Sequence, residues 1–215
     1  MSQSSQFIQT SQKDHTEKWH SRAYLPHYDA KHGYQMITYR LADALPQCIL
    51  QAIMDEKYSE KQERIQIEKH LDKSYGSCVL AKPAIAKIVV DNWCWFDGKK
   101  YELMAFVVMP NHVHLLIRIF EGISLSTVVH SWKSYTAKMI KKYLLDTGEQ
   151  FSLSTIWQQD YWDRFIRDEQ HFFRAVEYIH QNPVKVGLCR TADRWLWSSA
   201  SLGSSHISRP KACVD

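Results

Sequence analysis

Two histidines near the middle of this sequence and a tyrosine toward its end are the residues whose types and spacing could do chemistry. In His112-Val113-His114 a single residue separates the imidazoles. Side chains of a β-strand alternate between faces, so both rings project to one side while Val113, Leu115 and Ile117 face the other. Two nitrogen donors converging in this way make half of a site for a divalent metal, leaving positions for a third protein ligand and a substrate oxygen. The same spacing also occurs where one ring binds a backbone carbonyl and the other sits at a strand edge.

Toward the C-terminus, Phe172, Ala175, Val176 and Ile179 recur at helical spacing and form a stripe to be buried. Beside it His171, Arg174, Tyr178 and Asn182 fall at i, i+3, i+7 and i+11, a second, polar stripe. A phenol can attack phosphorus, and a carboxamide oxygen one turn away could complete a metal site begun by the two histidines. Pro183 disfavours helical geometry at the residue before it, so Asn182 equally suits a cap at the helix end. A free phenol has a pKa of about 10 and needs either proton withdrawal or a more electrophilic phosphate. His171, Arg174, Gln181 and Lys185 could assist there, or could simply be solvated helix-face residues.

These residues need elements to hold them. Residues 34–40 are rich in β-branched and aromatic side chains and predict a first strand. Residues 47–71 mix spaced apolar positions with dense charge, which predicts amphipathic helices, and a further helix follows over 83–95. Residues 101–109 and 112–120 predict a hairpin about Pro110-Asn111, since proline presets φ for a tight turn. A long helix follows behind Ser124 or Ser126, then a strand and turn within 156–166, then a last helix opened by Asp168 and Glu169, whose charges suit the positive end of its dipole. The order predicts an α+β, ferredoxin-like antiparallel sheet covered by helices on one face. The expected organisation is an N-terminal tail over 1–18, one domain over 19–200 with a helical insertion near 47–73, and a C-terminal tail over 201–215.

Composition narrows the class. With 45% hydrophobic and 23% charged residues the chain has the balance of an ordinary soluble domain rather than of a disordered or membrane protein. The start lacks the layout of a secretion signal, so a cytoplasmic protein is expected. The five cysteines are scattered and include no CxxC pair, which argues against a thiolate zinc site. There is no GxxxxGK phosphate loop, hence no expected nucleotide cofactor. A net charge of +4 says little by itself, but residues 122–145 contain no acid and four lysines.

Taken together, Val108-Met-Pro-Asn-His-Val-His-Leu-Leu-Ile117 and Tyr178-Ile-His-Gln-Asn-Pro-Val-Lys-Val-Gly-Leu188 resemble the single-tyrosine transposases with a His-hydrophobic-His (HUH) motif, most of all the REP-associated tyrosine transposases. Arg22-Ala-Tyr-Leu-Pro-His-Tyr-Asp29, Ser131-Trp-Lys-Ser-Tyr-Thr-Ala-Lys138, the stretch from Trp157 to Asp168, and Trp197-Ser-Ser199 follow the family's order. The resemblance implies that His112, His114 and Asn182 bind Mg²⁺ or Mn²⁺. It also implies that Tyr178 attacks a DNA phosphate, leaving a 5′-phosphotyrosine and a free 3′-hydroxyl, and that the fold is HUH-type. The expected partner is single-stranded or hairpin DNA of the REP palindrome kind, bound by a monomer or homodimer away from any membrane. Lys133, Lys138, Lys141 and Lys142 are candidates for its backbone, and Arg22, Tyr24 and His27 for its bases. Lysine-rich helix faces also serve solubility alone. Two other classes share these features: a metal-dependent hydrolase of small molecules, and a non-catalytic repressor that binds hairpin DNA.

Overall fold

The computed structural model describes residues 19–21, 26–28, 33–149 and 154–202. Two short strands, β1 (Trp19–Ser21) and β2 (Pro26–Tyr28), pair with each other. The body of the protein is β3 (Tyr34–Arg40), α1 (Gln47–Asp55), α2 (Glu60–Leu71), α3 (Pro83–Phe96), β4 (Tyr101–Val108), β5 (His112–Ile119), α4 (Leu125–Asp146), β6 (Trp162–Ile166) and α5 (Glu169–Lys185). The four main strands form one sheet in the order β4-β5-β3-β6, every pair antiparallel. That is the ferredoxin-like arrangement, with the first and third strands of the repeat central. The expected tails over 1–18 and 201–215 lie outside the described residues, except that Ser201 and Leu202 close a short 3-10 turn, Ser199–Leu202.

Local chemistry accounts for the ends of the elements. The Ser59 side chain accepts from the Gln62 amide while the Gln62 side chain accepts from the Ser59 amide, a capping box that starts α2. Ser124 caps α4 and Asp168 caps α5, the latter accepting from the His171 amide at 2.7 Å. The hairpin is closed by the Met109 amide donating to the His112 carbonyl at 2.9 Å. Helix α5 runs through Pro183 to Lys185 and ends at Gly187, whose φ of 76° supplies the left-handed turn that releases the last carbonyls.

In one respect the expected layering is corrected. Helices cover both faces of the sheet, not one. Val113, Leu115 and Ile117 of β5 pack in a core with Val89 and Trp93 of α3 and Val128 and Trp132 of α4. The opposite face, carrying Ala105, Val107 and Leu116, packs against Phe172, Ala175 and Ile179 of α5. The apolar run from Ala105 to Met109 already lacks the alternation of a half-solvated strand, and a strand buried on both faces reads as such a run. The tryptophans largely serve this core: Trp93 and Trp132 are fully buried, and the Trp93 indole donates to the Tyr39 hydroxyl at 2.9 Å.

Helix α2 is stitched to the hairpin at its C-terminal end. The Asn111 amide donates to the carbonyls of Leu71, at 3.4 Å, and Tyr75, at 3.1 Å. The connection leading to α3 turns sharply, with positive φ at Ser74, Gly76 and Cys78. At Gly76, where φ is 88°, a Cβ would meet the Asp43 carbonyl oxygen at 2.4 Å. Gly76→Ala is therefore expected to cost about 1–3 kcal/mol and to lower the melting temperature by roughly 2–12 °C in a thermal unfolding scan. An unchanged melting temperature would mean that this connection is not held in place.

Candidate active site

The β3–β5 register sets Thr38 directly opposite His114. Both imidazoles are buried, on the face of the sheet that α5 covers. Each Nδ1 has an oxygen partner: His112 Nδ1 lies 2.7 Å from Asn111 Oδ1, and His114 Nδ1 lies 2.7 Å from Thr38 Oγ1. The Asn111 amide nitrogen is committed to two carbonyls, so its oxygen faces His112, accepts the Nδ1 proton and leaves a lone pair on Nε2. The two Nε2 atoms face each other at 3.1 Å. Burial holds both rings neutral, pushing His112 down to about 3 and His114 well below its usual range, with His112 and then Lys185 adding to the shift at His114. Neutral imidazoles with Nδ1 held by a neighbouring oxygen are the form in which histidine binds metals.

Tyr178 comes from the facing helix, its ring centroid 5.2 Å from that of His114 and tilted edge-on at 75°. Burial raises its phenol well above the usual value, and the Glu68 and Asp72 carboxylates push the same way, while the nearby Asn182 carboxamide and the Arg64 guanidinium favour the phenolate. One turn further, Asn182 is fully buried, and neither atom of its carboxamide has a partner in good hydrogen-bond geometry. It is not the helix cap: α5 continues past it, and Val186 occupies the cap position. Among the described residues no group of three His, Cys, Asp or Glu side chains converges as a metal site. Any cation here would rest on His112, His114 and the Asn182 oxygen.

A cavity of about 240 Å³ opens beside Tyr178, lined by Thr38, Arg64, Glu68, Arg164, His171 and Arg174 among others. Of these, Thr38, Arg64 and Glu68 lie in no motif of the sequence, whereas Arg164 falls within the Trp157–Asp168 stretch. Lys185, at the end of α5, donates to Asp72 at 2.6 Å and so ties the helix of Tyr178 to the end of α2. The α4 lysines stand apart. Their helix packs on the opposite face of the sheet, where Lys133 and Lys141 donate to the carbonyls of Gln159 and Ser154, Lys142 pairs with Asp146, and Lys138 is exposed. Arg22 and Tyr24 lie outside the described residues, as does the side chain of His27, whose backbone pairs with His20 in the small β1–β2 ribbon.

The depressed histidines have a consequence for stability. In the unfolded chain these rings titrate near 6.5, whereas folded His112 stays neutral down to about 3. Between those values the unfolded state binds more protons, so the stability the rings contribute is complete above pH 6.5 and is lost as the pH falls. In urea unfolding at pH 7 and pH 5, the double variant His112→Gln, His114→Gln should lose roughly 2–4 kcal/mol less than the parent. Parallel losses in the two proteins would contradict buried, neutral rings.

The family model described as "Transposase IS200 like" matches residues 85–182. A REP-associated tyrosine transposase of Escherichia coli K12 is 29% identical over 101 residues, 47% of this chain and 55% of that protein. A Haemophilus influenzae Rd protein provisionally given the same name is 27% identical over 103 residues, 46% of this chain and 58% of that one. The chain thus matches a little over half the length of these curated relatives. A solved structure of a REP-associated tyrosine transposase bound to a REP hairpin is 22% identical, with a TM-score of 0.49 over 90% of this chain and 94% of that one. In the described residues no helix is long and apolar enough to cross a membrane. The histidine pair, Tyr178 and Asn182 all lie in the segment that matches the IS200-like transposase model, and the chain is similar at 27–29% identity to REP-associated tyrosine transposases over about half its length.

Proposed function

We propose that this protein nicks and rejoins single-stranded DNA beside a hairpin, with Tyr178 as nucleophile. The observation that carries this is the approach of the Tyr178 ring to His114, centroid to centroid 5.2 Å, from a different element and on the face to which both imidazoles project. The phenolate oxygen forms a bond to phosphorus, the bond from phosphorus to the 3′ oxygen breaks, and that oxygen takes up a proton. The product is a 5′-phosphotyrosine and a 3′-hydroxyl. Reverse attack by a 3′-hydroxyl restores a phosphodiester and the free phenol, so no nucleotide cofactor is consumed. The names of the relatives tie them to REP sequences, which favours palindromic DNA as the substrate here.

Mg²⁺ or Mn²⁺ fits the donor set. The Nε2 atoms of two neutral imidazoles lie 3.1 Å apart on one face, and a buried carboxamide with no partner in good hydrogen-bond geometry stands one turn from the proposed nucleophile. When bound, such an ion would offset charge developing on the phosphate and align it for attack. The protein's own residues do the rest. Asn111 and Thr38 fix the rotation of the two rings, and α5 holds the phenol against them.

A labelled hairpin oligonucleotide with a single-stranded flank, incubated with Mn²⁺ and then denatured, should yield a covalent protein–DNA band. Tyr178→Phe should abolish the band, and His112→Ala with His114→Ala should reduce it by at least about a hundredfold. Cleavage that persists in Tyr178→Phe would instead identify water as the nucleophile and a hydrolase. Tight hairpin binding by the parent without cutting in any divalent metal would identify a repressor.

A further inference from the structure

The cavity beside Tyr178 has an electrostatic character that the nucleophile and the histidines do not explain. Three guanidinium groups reach it from three elements: Arg64 from α2, Arg164 from β6 and Arg174 from α5. Burial first disfavours the charged form of Arg164, and Arg64, Arg167 and Arg174 are close enough to add to that effect while Glu68 opposes it. Glu68 and Asp163 line the same space, but Glu68 meets Arg64 only at 3.7 Å, and burial pushes its carboxyl toward the neutral form.

Two buried donors in this lining have no partner. Arg64 Nε is one. The other is His171 Nε2: His171 Nδ1 accepts from the Arg167 amide at 3.3 Å, so the proton sits on the unpartnered nitrogen. Burying such groups without a partner costs free energy, and an anion rich in oxygen would satisfy them while relieving the repulsion among the arginines.

We propose that this cavity holds a second phosphate of the DNA strand, next to the one Tyr178 attacks, with Arg64, Arg164 and Arg174 as its charged contacts and His171 as a neutral donor. This rests on the nicking reading for the identity of the strand. It makes α2, a helix outside the segment shared with the family, part of the DNA-binding surface. The phosphate bridges α2 to α5, so its binding and the placement of the nucleophile are coupled.

The test measures equilibrium binding of a fluorescent single-stranded oligonucleotide to the full chain in the Tyr178→Phe background without divalent metal, so that it can be read whether or not the protein nicks. Arg64→Gln and Arg174→Gln should each weaken binding roughly tenfold or more and each lower the slope of log K against log salt by about 0.7. Arg64→Lys should recover the salt slope. Methylphosphonate placed singly along the oligonucleotide should reveal one sensitive phosphate adjoining the cut site, and that sensitivity should vanish in Arg64→Gln. Variants that melt like the parent but keep its affinity and salt slope would overturn the second phosphate site. So would a methylphosphonate scan with the same profile in parent and Arg64→Gln. Absence of a covalent adduct with the native tyrosine would count against the nicking reading alone.

Discussion

The hydrogen bond between Asn111 and His112 is the contact on which the arrangement of the site depends. Its geometry is over-determined: the asparagine oxygen can only accept, because its nitrogen is spent on the carbonyls of Leu71 and Tyr75. His112 is thereby fixed as the tautomer with a free Nε2 lone pair. Opposite it, His114 has a choice that Thr38 controls. If the threonine hydroxyl donates to Nδ1, His114 gives its Nε2 proton to His112. If the hydroxyl accepts, both Nε2 lone pairs point at the same space. A one-residue slip of the β3–β5 register would remove Thr38 and turn both rings into the other core. The pairing of the sheet and the electronic state of the site are therefore a single constraint.

Burial acts on the two kinds of group in opposite senses. It strips charge from the imidazoles, leaving them as neutral donors, and it also resists charge on the phenol, leaving Tyr178 protonated. Only charges brought from outside these groups, such as those of a bound ligand, would shift that balance.

Much of this was legible in the sequence, for reasons that can be named. Strand alternation put His112 and His114 on one face, helical spacing put Tyr178 and Asn182 one turn apart, and the order of elements carried the ferredoxin-like sheet. One local rule misled: Pro183 made a helix cap an equal alternative for Asn182, but α5 continues through the proline and closes two residues later, with the Leu188 amide donating to the Pro183 carbonyl. The four α4 lysines, clustered in sequence, lie on a helix across the sheet from the histidines. The arginines that surround Tyr178 are spread over 111 positions, from Arg64 to Arg174, and no window of sequence holds them together. The role of Thr38 and the anchoring of the Asn111 amide nitrogen could not be read for the same reason, since their partners are 36 to 76 residues away, although Asn111 itself falls in the turn and motif.

The residues between β3 and α3 lie before the segment that matches the family model, and they act on the charge of the phenol. Burial above all resists ionisation of Tyr178, Glu68 and Asp72 add to that resistance, and Arg64, one turn before Glu68 on α2, draws the phenol toward ionisation. The end of the same helix anchors Asn111, and through it His112, while Asp72 holds Lys185 at the end of α5. A helix that touches both the histidine turn and α5 cannot shift without changing the separation of the two. The segment that matches the family model carries the histidine pair, Tyr178 and Asn182. The helix before it, α2 with its cap, ties their two elements together and adds, through Arg64, Glu68 and Asp72, the charges that act on the phenol.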